Sequence, residues 1–512
     1  MEIPQPFNSS SFGQVVTRRG APLPVEFLPR HFRPRRAALL AYHNLARAGQ
    51  LRRPLAIPNP VPFFNLAKEV VSSWSLINSH VSRSPLSRTT PTSVTQGRAI
   101  VGRTAPPDRP RLRARYRANA GYVVQADVQQ FYPSVYSHSI AWALHTKDVA
   151  KASRRDATLL GNRLDWWIAA CQDQQTRGIP IGPDTSLVIA EILLTSVDLE
   201  LQRMRGGHGL RGFRLIDDIE ISCDSRAEAE EILSMLQAAL AQYELHLNES
   251  KTGILELPNP LHALWPRELR EFTFRSTSRG QISDLLEFFS LAFQRAEEFP
   301  KEGVLRYAVA RVGSETIIPS AWKTYEDLLL QCLSAEPGTA SRVLAELRKY
   351  QIAGSALALD RIQAVVEEMV CRHSRFGHGS EVAWAVWMAI ALRIALTKEA
   401  TDRLPYLDDP LVPLLALHAD ALGLLPSGLD KTRWAGLMRK DELYGEHWVL
   451  VYEANVKGWL PSVGRTDHVL ADPCFAYLKR NKVSFYNLRA ASTRRPKWRP
   501  RLDFSEIVGY GL

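Results

Sequence analysis

Cysteine is scarce and scattered: five occur in 512 residues, Cys171, Cys223, Cys332, Cys371 and Cys474, with no CxxC pair among them. That spacing excludes a disulfide framework and a cysteine-based zinc module, and fits a reducing cytoplasm. The segment CRHSRFGH (Cys371, His373, His378) comes nearest to a metal-binding run. It has no fourth ligand at zinc spacing, so no metal is expected there. The opening MEIPQPFNSS holds no apolar signal-type run. The most apolar stretch, Val382 to Leu392, stops at Arg393, which is too short to span a bilayer and reads as a buried helix. No membrane association is expected, and no fixed repeat period is visible.

Acidic residues are nearly absent from the first 120 positions. Those positions carry 19 Lys or Arg against 4 Asp or Glu, a balance of +15. The remaining 392 carry 45 and 49, a balance of −4, so the whole excess of +11 is N-terminal and mostly arginine. Guanidinium forks bind paired phosphate oxygens, which makes nucleic acid or nucleotide the leading partner. The alternative is a solvated basic arm.

The apolar content of 45% and the length allow several cores. Residues 1–36 are Pro- and Arg-rich, an irregular arm; 37–50 have helical spacing. Pro58 and Pro60 bracket a turn before an amphipathic helix. In RPRLRARYR, Arg111, Arg113, Arg115 and Arg117 alternate; as a strand they would share one face. From Tyr122 the order reads strand (YVVQADV), helix (TLLGNRLDWWIAAC), Gly/Pro loop (RGIPIGP), helix (DTSLVIAEILLTSVDLELQ, capped by Asp184 or Thr185), hairpin (RGFRLIDDIEISC), helix (AEAEEILSMLQAALAQY), strand–turn–strand (ELHLNESKTGILEL). Simplified, this is the β-α-β-β-α-β pattern of a ferredoxin-like domain with one extra helix. Its first strand lies beside the hairpin, so Asp127 is expected next to Asp217 and Asp218. From about residue 280 only helical patterns remain, consistent with stacked pairs in a loose solenoid. The tail TRRPKWRPR is basic again.

Asp217-Asp218 at the tip of an apolar hairpin is by itself ordinary turn chemistry. Three converging carboxylates repel one another and persist where divalent ions neutralise them. Two Mg²⁺ ions, hard and oxygen-seeking, are the usual solution for nucleotidyl transfer.

DVQQFYPSVYSHSIAWALHTK from Asp127, RGIPIGPDTSLVIAE from Arg177, LIDDIEIS from Leu215 and LNESKTGI from Leu247 stand in the order and spacing of reverse-transcriptase palm motifs. FYPSVYSHSIAWALH and the earlier LAIPNP resemble the bacterial abortive-infection, defence-associated group. The resemblance covers roughly residues 35–255. It implies an α+β fold: a right-hand polymerase with reverse-transcriptase fingers and a ferredoxin-like palm, followed by an all-α helical-repeat domain. The corresponding divisions are 1–120 (basic arm and fingers), 121–260 (palm) and 275–512 (helical repeats). Asp127, Asp217 and Asp218, with the Val128 carbonyl, would hold two Mg²⁺ ions, Mn²⁺ substituting. Lys251 stands where a lysine protonates departing pyrophosphate; its bland alternative is a solvated surface lysine. Tyr132 stands at the steric gate against a 2′-hydroxyl. Phe131 lies beside the nucleotide site, although plain core packing explains it better. Gly178 would let backbone approach the base or template, and Arg111, Arg113, Arg115 and Arg117 would sit in the fingers near the triphosphate. Ser137 is expected to cap the following helix; His138 and His145 read as satisfied structural histidines.

Two departures stand out. Leu215 replaces the tyrosine usual two positions before Asp-Asp, and no distinct basic thumb follows residue 255. The abortive-infection group makes untemplated DNA primed on the protein itself. The expectation is therefore a DNA polymerase using dNTPs, cytoplasmic in a bacterium, serving antiphage defence. Its product would be covalently attached, and the chain would form a homo-oligomer. Tyr42, Tyr510 and Ser9 to Ser11 are candidate primers. The alternatives are an RNA-templated reverse transcriptase and a catalytically dead nucleic-acid scaffold.

Overall fold

The computed structural model describes residues 3–18, 22–30, 34–49, 52–95, 97–104 and 108–491. The chain divides into two compact units, one made of 23–40 and 56–262, the other of 1–22, 41–55 and 263–512. This partition cuts across the division expected at 120. The early segments 1–22 and 41–55 group with the C-terminal helices because they make specific bonds there. Phe7 bridges Tyr486, and the Asn8 N–H donates to the Phe485 carbonyl at 3.0 Å.

Among the described residues, eight strands form three sheets: β1 (Ala41–Ala46) with β2 (Arg52–Ile57), β3 (Pro91–Ser93) with β4 (Ile100–Gly102), and a four-stranded sheet. The last contains β5 (Tyr122–Asp127), β6 (Gly212–Leu215), β7 (Asp218–Cys223) and β8 (Gly253–Glu256), in the order β6-β7-β5-β8, antiparallel throughout. That is the ferredoxin-like order, and the expected α+β class holds. Val123, Val124, Ile219 and Ile221 are buried in the sheet. The helix Asp184–Met204 is largely buried, carrying Glu191 and Asp198 into the interior along with its apolar residues. The helix Arg226–Ala241 buries Ile232, Leu236 and Leu240, and Ser225 caps it by accepting from the Glu228 N–H.

Four local expectations change. Residues 41–46 form strand β1 rather than a helix; alternate burial of Ala41, His43 and Leu45 sets the period. RPRLRARYR is the helix Arg109–Arg117, not a strand. Pro110 starts it, and Arg113 and Arg117, four apart, share a face through their common partner Glu220. Asp184 does not cap its helix: its carboxylate accepts from the Ala99 and Ile100 N–H groups and pairs with Arg98. Ser137 sits at a helix N-cap without a side-chain cap bond.

The second unit is almost entirely helical. Ser278–Glu298, Trp322–Ala335, Ala340–Ile352, Leu359–Ser374, Gly379–Leu392 and Val412–Ala421 match the six helical patterns read from the sequence. Gly379–Leu392 is buried at every position but Ala391, and no described helix is long and apolar enough to cross a membrane.

Candidate active site at the β5–β7 edge

Sheet register places the acidic residues. Asp127 ends β5 directly opposite Asp218, the first residue of β7. Asp217 lies between, in the two-residue turn that joins Leu215 to Asp218. Ile216, the first turn residue, takes φ 55°, a conformation costly for a β-branched side chain. The surroundings enforce it. The Thr89 hydroxyl accepts from the Ile216 N–H (2.9 Å) and Arg214 donates to the Ile216 carbonyl (2.9 Å). Arg214 is fully buried and pairs with Glu191 (3.0 Å) and Asp198 (2.8 Å), both also buried. A charged triad beneath the sheet therefore anchors the turn that carries Asp217.

Asp127 is held from the other side. The Asn248 N–H donates to its carbonyl (2.8 Å), Asn248 Nδ2 to its Oδ1 (3.0 Å) and Lys251 Nζ to its Oδ2 (3.3 Å). Arg109 donates to Asp218 Oδ2 at 2.5 Å. Burial and the nearby carboxylates of Asp218 and Asp127 push the Asp217 carboxyl up to about 7, with Lys251 opposing weakly. Desolvation would also raise Glu220, but Arg113 and Arg117 outweigh it and hold that carboxyl below its usual range.

The three aspartates are brought to one sheet edge, yet their oxygens do not gather around a single point. Among the described residues only one other trio, far along the sequence, has ligand atoms within 4.8 Å of one another. Lys251 and Asn248 draw Asp127 one way and Arg109 draws Asp218 another, and like charges separate. The donor set still fits divalent magnesium-type ions, because it is all carboxylate oxygen. Val128 follows β5 and bridges Leu247.

The motif after Asp127 folds back under the site. Phe131 is buried in the core at 2% exposure, and the half-buried Tyr132 meets it edge-on at 5.5 Å. The Gly178 N–H donates to the Val135 carbonyl and the Ile179 N–H to the Tyr132 carbonyl. Gly178 has φ 86°, and an added Cβ would lie 3.4 Å from the Pro133 carbonyl. The positive φ is what favours glycine here, since the 3.4 Å approach is an ordinary contact. Of the fingers arginines, Arg113 and Arg117 are committed to Glu220, while Arg111 and Arg115 are exposed. His138 lies 2.6 Å from Asp165, which raises its imidazole, and His145 accepts from the Gly161 N–H.

Sequence reasoning missed Arg109, Asn248 and the Arg214 triad. Asn248 had a usable signal, three residues before Lys251. Arg214 sits in a strand whose four residues are all buried, so alternation gave no hint.

Residues 77–304 match the family model described as reverse transcriptase (RNA-dependent DNA polymerase). No curated protein matches. Among solved structures the chain is similar to apo telomerase from Candida tropicalis, at 11% identity and TM-score 0.32, covering 83% of this chain and 71% of that one. It is also similar to telomerase from Candida albicans in complex with a TWJ fragment of telomeric RNA, at 10% identity and TM-score 0.30, covering 70% and 67%. Over residues 77–304 the chain carries a reverse-transcriptase domain, with the Asp127, Asp217 and Asp218 edge inside it.

Proposed function

We propose that this chain makes DNA from dNTPs without a template, primed on one of its own hydroxyls, as a bacterial abortive-infection polymerase acting in antiphage defence. The observation that carries the proposal is Leu215. It stands two residues before Asp217, is 4% exposed, and offers no hydroxyl or ring to a primer or template end. The carboxylate edge needed for nucleotidyl transfer is otherwise present.

Asp127 and Asp217 would hold the ions and Asp218 would be the third carboxylate, released from Arg109 when an ion competes. Two Mg²⁺ ions, when bound, supply activation of the attacking hydroxyl and neutralisation of the triphosphate. Lys251, 3.3 Å from Asp127 and partly exposed, would give a proton to the departing pyrophosphate. Tyr132 would lie under the sugar and exclude a 2′-hydroxyl. Arg111 and Arg115, exposed on the helix Arg109–Arg117, are the fingers cations open to phosphate. Among the primer candidates, Tyr42 is exposed on β1 and Ser9 and Ser10 are exposed near the start, whereas Tyr510 lies outside the described residues. The DNA product would remain attached, and copies of the chain would associate.

The family description favours a second reading, an RNA-templated reverse transcriptase. One assay separates them: purified chain, Mg²⁺ and each labelled dNTP singly, with no template. Label should migrate with the protein on a denaturing gel and fall by at least about 10³-fold in Asp217→Asn. Label that needs added RNA, and yields cDNA of defined sequence, would select the templated reading. No incorporation under either condition would leave the nucleic-acid scaffold.

A further inference from the structure

A second group of metal-competent side chains converges outside the palm. The helix Leu359–Ser374 closes in a Schellman motif. The His378 N–H donates to the His373 carbonyl (3.1 Å) and the Gly377 N–H to the Ser374 carbonyl (3.3 Å), with Gly377 at φ 66°. This closure brings the side chains at its two ends together, and the pair is ordinarily apolar. Here it is two imidazoles, whose Nδ1 atoms lie 3.1 Å apart. Glu381, in the first turn of the next helix, sets its Oε1 3.8 Å from each of them. Three atoms separated by 3.1, 3.8 and 3.8 Å have an equidistant point about 2.1 Å from each, the length of a Zn–N or Zn–carboxylate bond.

The frame around the trio is built. Arg52 grips both oxygens of the buried Glu381, at 2.5 and 2.6 Å. Each carboxylate oxygen keeps a second lone pair, and a hydrogen-bonded carboxylate is the usual outer-shell arrangement for a ligand. Asn44 Nδ2 donates to the Gly377 carbonyl at 3.0 Å and pins the turn. A Cβ at Gly379 would come within 2.0 Å of Asp409 Oδ2, so the ligand-bearing helix start is pressed against a buried carboxylate. A proton shared between two neutral imidazoles would explain their 3.1 Å separation. It would not explain a carboxylate oxygen equidistant from both.

We propose that His373, His378 and Glu381 form a three-ligand site for a divalent cation of the zinc class, with a further coordination position left for water. Two imidazoles disfavour magnesium, so this site and the all-oxygen palm edge select different ions. The CRHSRFGH run shows no fourth ligand nearby at zinc spacing, which is why the sequence alone points to no metal there. The third ligand is Glu381, and Cys371 is not part of the group.

The test uses the tag-free full-length chain carrying Asp127→Asn, so that the palm edge does not compete. Co²⁺, a spectroscopic stand-in for Zn²⁺, is titrated in, and visible d–d absorption is read. The expected result is saturation at one equivalent, reversal by Zn²⁺ and indifference to excess Mg²⁺. His378→Ala and His373→Gln should each weaken binding by about 100-fold or more, with metal-free melting of His378→Ala unchanged. Failure of the parent chain to bind one equivalent, or equal d–d bands in both histidine variants, would overturn the assignment.

Discussion

At Tyr132 one residue does two jobs. Its ring leans edge-on against the buried Phe131, and its backbone carbonyl accepts from Ile179. The carbonyl bond survives any substitution, so truncation should leave the loop in place and remove only the ring. Tyr132→Ala is expected to lower discrimination between dNTPs and NTPs by about 10- to 100-fold, with dNTP incorporation largely retained; single-nucleotide incorporation with each substrate checks this. Phe131, by contrast, is core, as its 2% exposure requires. What could be read at this scale was residue type. Asp127, Asp217 and Asp218 stood out because carboxylates beside apolar strands need a reason. Arg109 and Glu220 did not, because their partners lie 109 and up to 107 positions away along the chain.

Elements obey packing as much as pattern. The helices Leu160–Ala170 and His138–His145 cross where Gly161 meets Ala141, and a Cβ on Gly161 would fall 2.5 Å from the Ala141 Cα. That atom is backbone and cannot rotate away. Gly161→Ala should destabilise the chain by about 1–3 kcal/mol, measured as a lowered denaturation midpoint. The palm elements were legible because their patterns are clean, with a short apolar run in β5, alternating apolar residues in β7 and helical spacing in Arg226–Ala241. The helix Arg109–Arg117 was not. Arginine at every second position mimics a strand face, and only Pro110 at the start and the shared partner Glu220 reveal a helix. Strand β1 was missed for a related reason: AALLAYHNLA is apolar at both periods, and the buried His43, 2.7 Å from Asp409, is what fixes the phase.

For the whole molecule, the N-terminal excess of positive charge is partly spent inside the fold. Arg52, Arg98, Arg109, Arg113 and Arg117 all pair with carboxylates from later in the chain. Net charge was visible in the sequence; its internal neutralisation was not. Stability should also depend on pH through His418. It lies 2.9 Å from the Tyr486 hydroxyl, and burial, with Arg393 and Lys457 nearby, lowers its imidazole to about 4. The unfolded chain takes that proton near 6.5 and the folded one resists it, so stability falls as pH drops from 6.5 toward 4. The loss should reach roughly 2 kcal/mol at pH 5. Thermal melts across that range should show the fall, and His418→Gln should flatten it.

Phe7 bridges Tyr486 and Asn8 bonds to Phe485, partners more than 470 positions away along the chain. A ribosome releases the first pair long before the second. These contacts therefore form only after residues 485 and 486 have been made, when strands β5 to β8, all earlier in the chain, are already available to pair.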